Sequence, residues 1–162
     1  MKSKLFNNLL LISLFGIALN FFGILYEGLV YGPKLLDVSM TRMLFWKSFT
    51  TVISPIIYYI PMVYIATILI IILYFNTSKE KIVLKSRLKW GTILQIISLA
   101  LTIYILTQIN IKLRFSNLEK YAATIPGQVI LFNILSICRI LITATALASV
   151  FKAYILTQKE HG

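Results

Sequence analysis

The sequence predicts an all-α integral membrane four-helix bundle, a single transmembrane domain over residues 1–162. Two observations carry this. First, 59% of the residues are hydrophobic and only 13% charged, with a mean hydropathy of +0.86. Soluble domains carry about 25% charged residues, and a short chain has much surface to wet. Second, the apolar residues gather in four runs, at about 5–31, 44–75, 88–111 and 127–156. Each exceeds the roughly 20 residues that a helix needs to cross a bilayer. The composition excludes a soluble enzyme, a disordered tail and a disulfide scaffold.

The first run follows Lys2 and Lys4 and so begins like a signal peptide. No small-x-small cleavage site follows, and the run continues through Phe21, Phe22, Gly23, Ile24 and Leu25. A retained first helix is expected. The second run contains Pro55 and Pro61. Each removes a backbone donor and kinks a helix, so the segment 54–61 is expected to bend. The third run follows a basic loop with Lys79, Lys81, Lys85, Arg87 and Lys89, and the fourth ends in a tail bearing Lys159 and His161. β-branched residues are common, but barrel strands need only about 9–11 residues and alternate in polarity. Helices satisfy their backbone groups internally, as lipid requires. No internal repeat or low-complexity segment is present.

The loops set the expected orientation. Nine Lys and Arg residues (2, 4, 79, 81, 85, 87, 89, 152 and 159) fall on the side of the termini, against six (34, 42, 47, 112, 114 and 120) on the other. The positive-inside rule then places both termini in the cytoplasm of a multi-pass cell-membrane protein. The net charge of +11 fits cations flanking spans and favouring anionic lipid headgroups. No basic patch with interleaved aromatics stands apart from a span, so membrane lipids are expected partners and nucleic acid is not. One cysteine, Cys138, and one histidine, His161, leave no internal disulfide, no CxxC pair and no expected metal site.

Polar residues within the spans form seams. Ser13, Gly16, Asn20, Gly23 and Glu27 are spaced three, four, three, four, which sets them on one helical face. Thr51, Ser54, Tyr58 and Pro61 repeat the pattern in the second run. Gly91, Gln95, Ser98 and Thr102 do so in the third, with Asn110 near its end. In the fourth, Ser136, Arg139, Thr143 and Ala146 do so, with Asn133 one turn earlier. The seams are expected to face inward. Small and hydroxyl residues in such seams let helices approach, and amides bond between them.

Glu27 and Arg139 are the candidate catalytic residues. An ionised group at membrane depth costs roughly 2.5–3.5 kcal/mol on insertion scales, so such residues pair or serve a site. Counted along the helices, with Glu27 four residues from the end of its helix, their Cα heights differ by about 12 Å. Extended side chains, directly or through water, would close that gap, and pairing would neutralise both charges. Asn20, Trp46, Tyr58, Tyr59, Asn110 and Asn133 are the candidate substrate-binding residues. Tyr and Trp near an interface also serve as anchors. Aromatic walls around one carboxylate, one guanidinium and several amides suit a flat, weakly acidic organic molecule. Arg139 would hold and polarise a substrate oxygen, and Glu27 would accept a proton.

On these residues the chain resembles a family of small four-helix membrane proteins that includes the fungal anthrone oxygenases. The resemblance covers most of the chain. It rests on the four-span layout, Tyr26-Glu27-Gly28 at the acidic end of the first helix, and Phe45-Trp46 at the start of the second. Asn110 and Arg114 after the third helix, and Asn133 and Arg139 in the fourth, complete it. It implies oxidation of a polycyclic anthrone to an anthraquinone by molecular oxygen. Three functions are expected to compete. One is an oxygenase or oxidoreductase acting on a hydrophobic aromatic or quinone-like small molecule. Another is a non-catalytic accessory or structural subunit, in a homo-oligomer or with a membrane partner. The third is a small transporter, which the unbroken oily run 68–73 disfavours. Thiol-redox chemistry is excluded by the cysteine count. No paired histidines suit a bis-His haem and no glycine fingerprint suits a dinucleotide, so the residues point to no particular cofactor.

Overall fold

The computed structural model describes residues 3–52, 56–115 and 118–159. Among them every regular element is a helix. Helix α1, Ser3–Tyr26, continues through a π-helical turn, Glu27–Tyr31, into α2, Gly32–Leu35. Helix α3 is Met40–Val52 and α4 is Ile56–Asn76. Helix α5, Ile82–Tyr104, runs on as a π-helical segment, Ile105–Phe115. A short α6, Leu118–Tyr121, and a 3-10 turn, Ala122–Thr124, lead into α7, Ile125–Lys159. Three stretches are long and apolar enough to cross a membrane: Lys4–Leu35, Ile82–Leu113 and Ala122–Lys159. A fourth apolar stretch, Pro61–Asn76, is shorter.

The helices outrun the apolar runs. The first extends to Leu35 rather than ending at residue 31, and the third starts at Ile82 and ends at Phe115. Hydropathy marks only the oily middle, whereas Lys and Arg stems lie along apolar surface with their charged heads in water. Lys85, Arg87 and Lys89 therefore sit on helix α5 rather than in a loop. The second run is divided between α3 and α4. Thr51 lies on α3, but its side chain lies outside those described, and so does Ser54-Pro55 at the expected bend. Pro61 lies inside α4 and faces outward.

Helix α1 packs against α4 and α7, and α5 packs against α7 and α4. The α1–α4 contact needs a glycine. A Cβ on Gly16 would stand 2.6 Å from Ala66 Cβ, and beside it Ser13 Oγ donates to the Ala66 carbonyl at 3.0 Å. Close approach through small residues is how helices gain contact where lipid supplies no hydrophobic drive.

The core is layered along its length. Near the termini, a cluster of Leu10, Ile17, Ala66, Ile70, Leu73, Leu84, Leu88, Val150 and Ala153 is apolar. At the opposite, distal end, Leu35, Met43, Ile105, Ile109, Leu113, Leu118, Ile125, Val129 and Phe132 form a second apolar cluster. Between Leu88 and Ile105 on α5, the buried residues are Gly91, Thr92, Gln95, Ser98 and Thr102. Between Phe132 and Ala146 on α7, they are Ser136, Arg139 and Thr143. The bundle thus has a polar waist between two oily ends. Its outward faces carry Phe15, Phe22, Leu29, Ile137 and Leu141, each more than half exposed, as a lipid-facing surface would.

The seams of α1, α5 and α7 turn inward as expected, with Gly23 only half-buried. In the second run only Pro61 of the expected seam has a described side chain, and it faces outward; beyond it the buried stripe of α4 is Val63, Ala66, Thr67, Ile70 and Leu73. That helix is oily all round, so its sequence offers no contrast from which to read the inward face.

Candidate functional site: an ion pair in a polar waist

The waist is built by hydroxyls that serve two partners. A threonine in lipid donates to the carbonyl one turn back and keeps lone pairs free. Thr102 Oγ1 donates to the Ser98 carbonyl at 2.8 Å and accepts from Arg139 Nη1 at 3.4 Å. Thr67 Oγ1 donates to the Val63 carbonyl at 2.7 Å and accepts from Gln95 Nε2 at 3.4 Å. Thr143 Oγ1 donates to the Arg139 carbonyl at 2.8 Å. Its one proton is then committed, so Ser98 Oγ is the donor in the 2.7 Å bond between them.

At the centre, Arg139 Nη2 donates to Glu27 Oε2 at 2.7 Å. Arg139 is 1% exposed and Glu27 is 2% exposed. The contact is direct. Glu27 stands eight residues before the end of its helical stretch at Leu35, not four. A Cβ on the adjacent Gly28 would meet Ile140 Cδ1 at 2.7 Å and lie 3.9 Å from Ser136 Cβ. The two charged residues therefore face each other across closely packed backbones.

The pair leaves donors and acceptors over. Among the described residues, Arg139 Nε has no hydrogen-bond partner. Neither do Ser136 Oγ, one turn along the same helix, Asn110 Oδ1 and Asn20 Nδ2. All four residues are essentially fully buried. Asn20 and Thr102 line a small cavity with Val63, Tyr64, Leu99 and Leu106. Its volume of about 10 Å³ is near the least that holds one water molecule. Buried polar groups in native proteins are almost always partnered, by protein or by something bound. Both π-helical segments adjoin this region, Glu27–Tyr31 beginning at the carboxylate itself and Ile105–Phe115 carrying Asn110. Such distortions recur at functional sites.

No protein-family model, curated protein or solved structure matches this chain. The site must therefore be read from its own geometry. Helices α1 and α7 bring Glu27 and Arg139 together; Asn20 and Asn110 are buried in the same bundle. Asn133 is placed differently. It is half-buried, its Nδ2 donates back to the Val129 carbonyl at 2.9 Å, and its Oδ1 packs on Gly32, where a Cβ would collide with it. The side chains of Trp46, Tyr58 and Tyr59 lie outside those described. Thr67, Ser98 and Thr143 join the polar network. Their signal in the sequence was spacing alone, and for Thr67 there was none. Among the described residues no group of His, Cys, Asp and Glu is arranged to hold a metal.

Proposed function

We propose that this chain is a multi-pass cell-membrane protein with both termini in the cytoplasm, whose polar waist, opened beyond the cavity of about 10 Å³ described above, binds a hydrophobic aromatic or quinone-like small molecule through an oxygen atom. One observation carries the reading: among the described residues, Arg139 Nε is buried without a partner beside its ion pair, as are Ser136 Oγ and Asn110 Oδ1 in the same bundle. A ligand oxygen would accept from the guanidinium, and Glu27 would remain as the counter-charge and proton acceptor. In its enzymatic form this reading is anthrone oxygenase-like. Anthrone and molecular oxygen would give anthraquinone and water, with Arg139 stabilising the enolate oxygen after Glu27 takes the proton.

The test uses the full chain in lipid nanodiscs and 2-hydroxy-1,4-naphthoquinone as a flat, weakly acidic probe. Saturable quenching of tryptophan fluorescence is expected, lost in Arg139→Gln while helicity is kept. Aerobic conversion of anthrone to anthraquinone, followed by absorbance, tests the catalytic form. Absence of saturable binding would overturn the reading.

A second reading rests on the directness of the 2.7 Å contact. In it the pair only locks α1 to α7, and the chain is an accessory or structural subunit. Naphthoquinone binding unchanged in Arg139→Gln would favour it.

A further inference from the structure

A second feature lies on the outward face, away from the waist. Helices α1 and α7 diverge there to leave an apolar groove of about 550 Å³. Leu11, Phe15 and Ala18 line one wall, and Ala144, Ala148 and Phe151 line the other. The groove opens on the surface that the spans present to lipid, and its stripes lead into charge at the end of the termini. On α7, Lys152 is four residues beyond Ala148 and Lys159 eleven beyond it, on the same side of the helix. On α1, Lys4 is seven residues before Leu11, again on the same side. All three lysines are exposed. With about 1.5 Å of rise per residue, Lys4 lies about 10 Å below the groove and Lys152 about 6 Å below Ala148. Gly28 packs on Ile140 and Gly32 on Asn133, a register that sets Lys4 just beyond Lys159, and Lys152 at the lower groove, from which its long stem reaches down toward them.

We propose that this groove and its lysines form a binding site for one anionic phospholipid of the leaflet facing the termini. An acyl chain lies between Phe15 and Ala148, and the phosphate sits among Lys4, Lys152 and Lys159. Charge complementarity selects this occupant. A second copy of the chain, related by a two-fold axis along the membrane normal, would set the same lysines face to face. A zwitterionic lipid would fill the groove but bring its own cation to the lysines.

The test is native mass spectrometry of the full chain in detergent, titrated with phosphatidylglycerol or with phosphatidylcholine of the same acyl chains. One phosphatidylglycerol is expected to bind at least tenfold more tightly than phosphatidylcholine. Replacing Lys4, Lys152 and Lys159 by Gln should abolish that preference, by about fivefold per lysine. Lys79→Gln with Lys89→Gln, away from the groove, should leave it intact. Ala148→Trp should weaken binding of both lipids by filling the groove. Equal binding of the two lipids, or a preference that survives the triple substitution, would overturn the site. So would a dimer that Ala148→Trp dissolves. The Gln variants lie on exposed positions and decide the matter even where Ala148→Trp fails to fold.

Discussion

Replacing Arg139 by Leu removes the guanidinium that the buried Glu27 carboxylate bonds. Both side chains are almost wholly buried and 2.7 Å apart, so water cannot screen or replace the contact. Breaking one side of a buried pair costs about 3–5 kcal/mol, whereas replacing both sides by apolar groups is often neutral. The same cost is expected for Glu27→Leu. The double variant is expected to be near wild type, so that almost all of the two single losses, about 6–10 kcal/mol together, returns as coupling, far above what independent sites show. The Arg139–Thr102 bond, at 3.4 Å, is long and adds little. The assay is reversible unfolding in mixed micelles with a denaturing detergent, followed by helical circular dichroism, for wild type, both single variants and the double. Single-variant losses that add to within about 0.5 kcal/mol would refute a directly coupled buried pair. The double variant also separates the two functional readings, since a folded bundle lacking both charges should bind no naphthoquinone if the waist is the site.

Three further outcomes are expected. Gly16→Val would push a methyl-bearing Cβ to 2.6 Å from Ala66 Cβ, and overpacking of this kind costs about 1–3 kcal/mol; unchanged micelle unfolding would contradict the close α1–α4 approach. Gly127→Ala, in the first turn of α7, meets nothing within 4 Å and should stabilise the protein by about 0.5–1 kcal/mol through helix propensity, read by the same unfolding curve. In the distal loop, the Asp37 carboxyl is held below its ordinary range by hydrogen bonds from the Ser39 side chain and backbone N–H, with help from Arg42. The stabilisation it gives is full above its unfolded pKa and disappears as pH falls through the lowered folded value. A carboxyl carbon NMR titration should show that lowering, and Ser39→Ala should move the midpoint upward.

The inward faces of α1, α5 and α7 were legible because polar residues are scarce in these oily spans, so spacings of three and four stand out. Helix α4 offered no such contrast, and from residue 61 onward its buried face runs through Val63, offset from Pro61. The pairing of Glu27 with Arg139 was legible from the cost of burying either alone. Its geometry was not, because Tyr31, Gly32, Pro33 and Lys34 end the apolar run without ending the helix. Pro33 follows the π-helical turn inside the same continuous helical stretch, so the helix runs on past it. The π-helical segments carry no local sequence signal that separates them from α-helix. Asn133 has the polarity of a site residue, yet its amide donates to its own helix.

The ion pair joins residues 112 positions apart in the chain. In a chain inserted span by span at the usual pace of synthesis, about 5–20 residues per second, Glu27 would enter the bilayer roughly 6–22 seconds before Arg139 exists. During that wait the first helix would hold its acid without Arg139, and the last helix would arrive with a guanidinium that oily surroundings oppose. Each makes the other's insertion favourable only once both have emerged. Maturation is therefore gated by the final span. Polypeptides cut short before Arg139 should remain conspicuous to membrane quality control, whereas completed ones escape it.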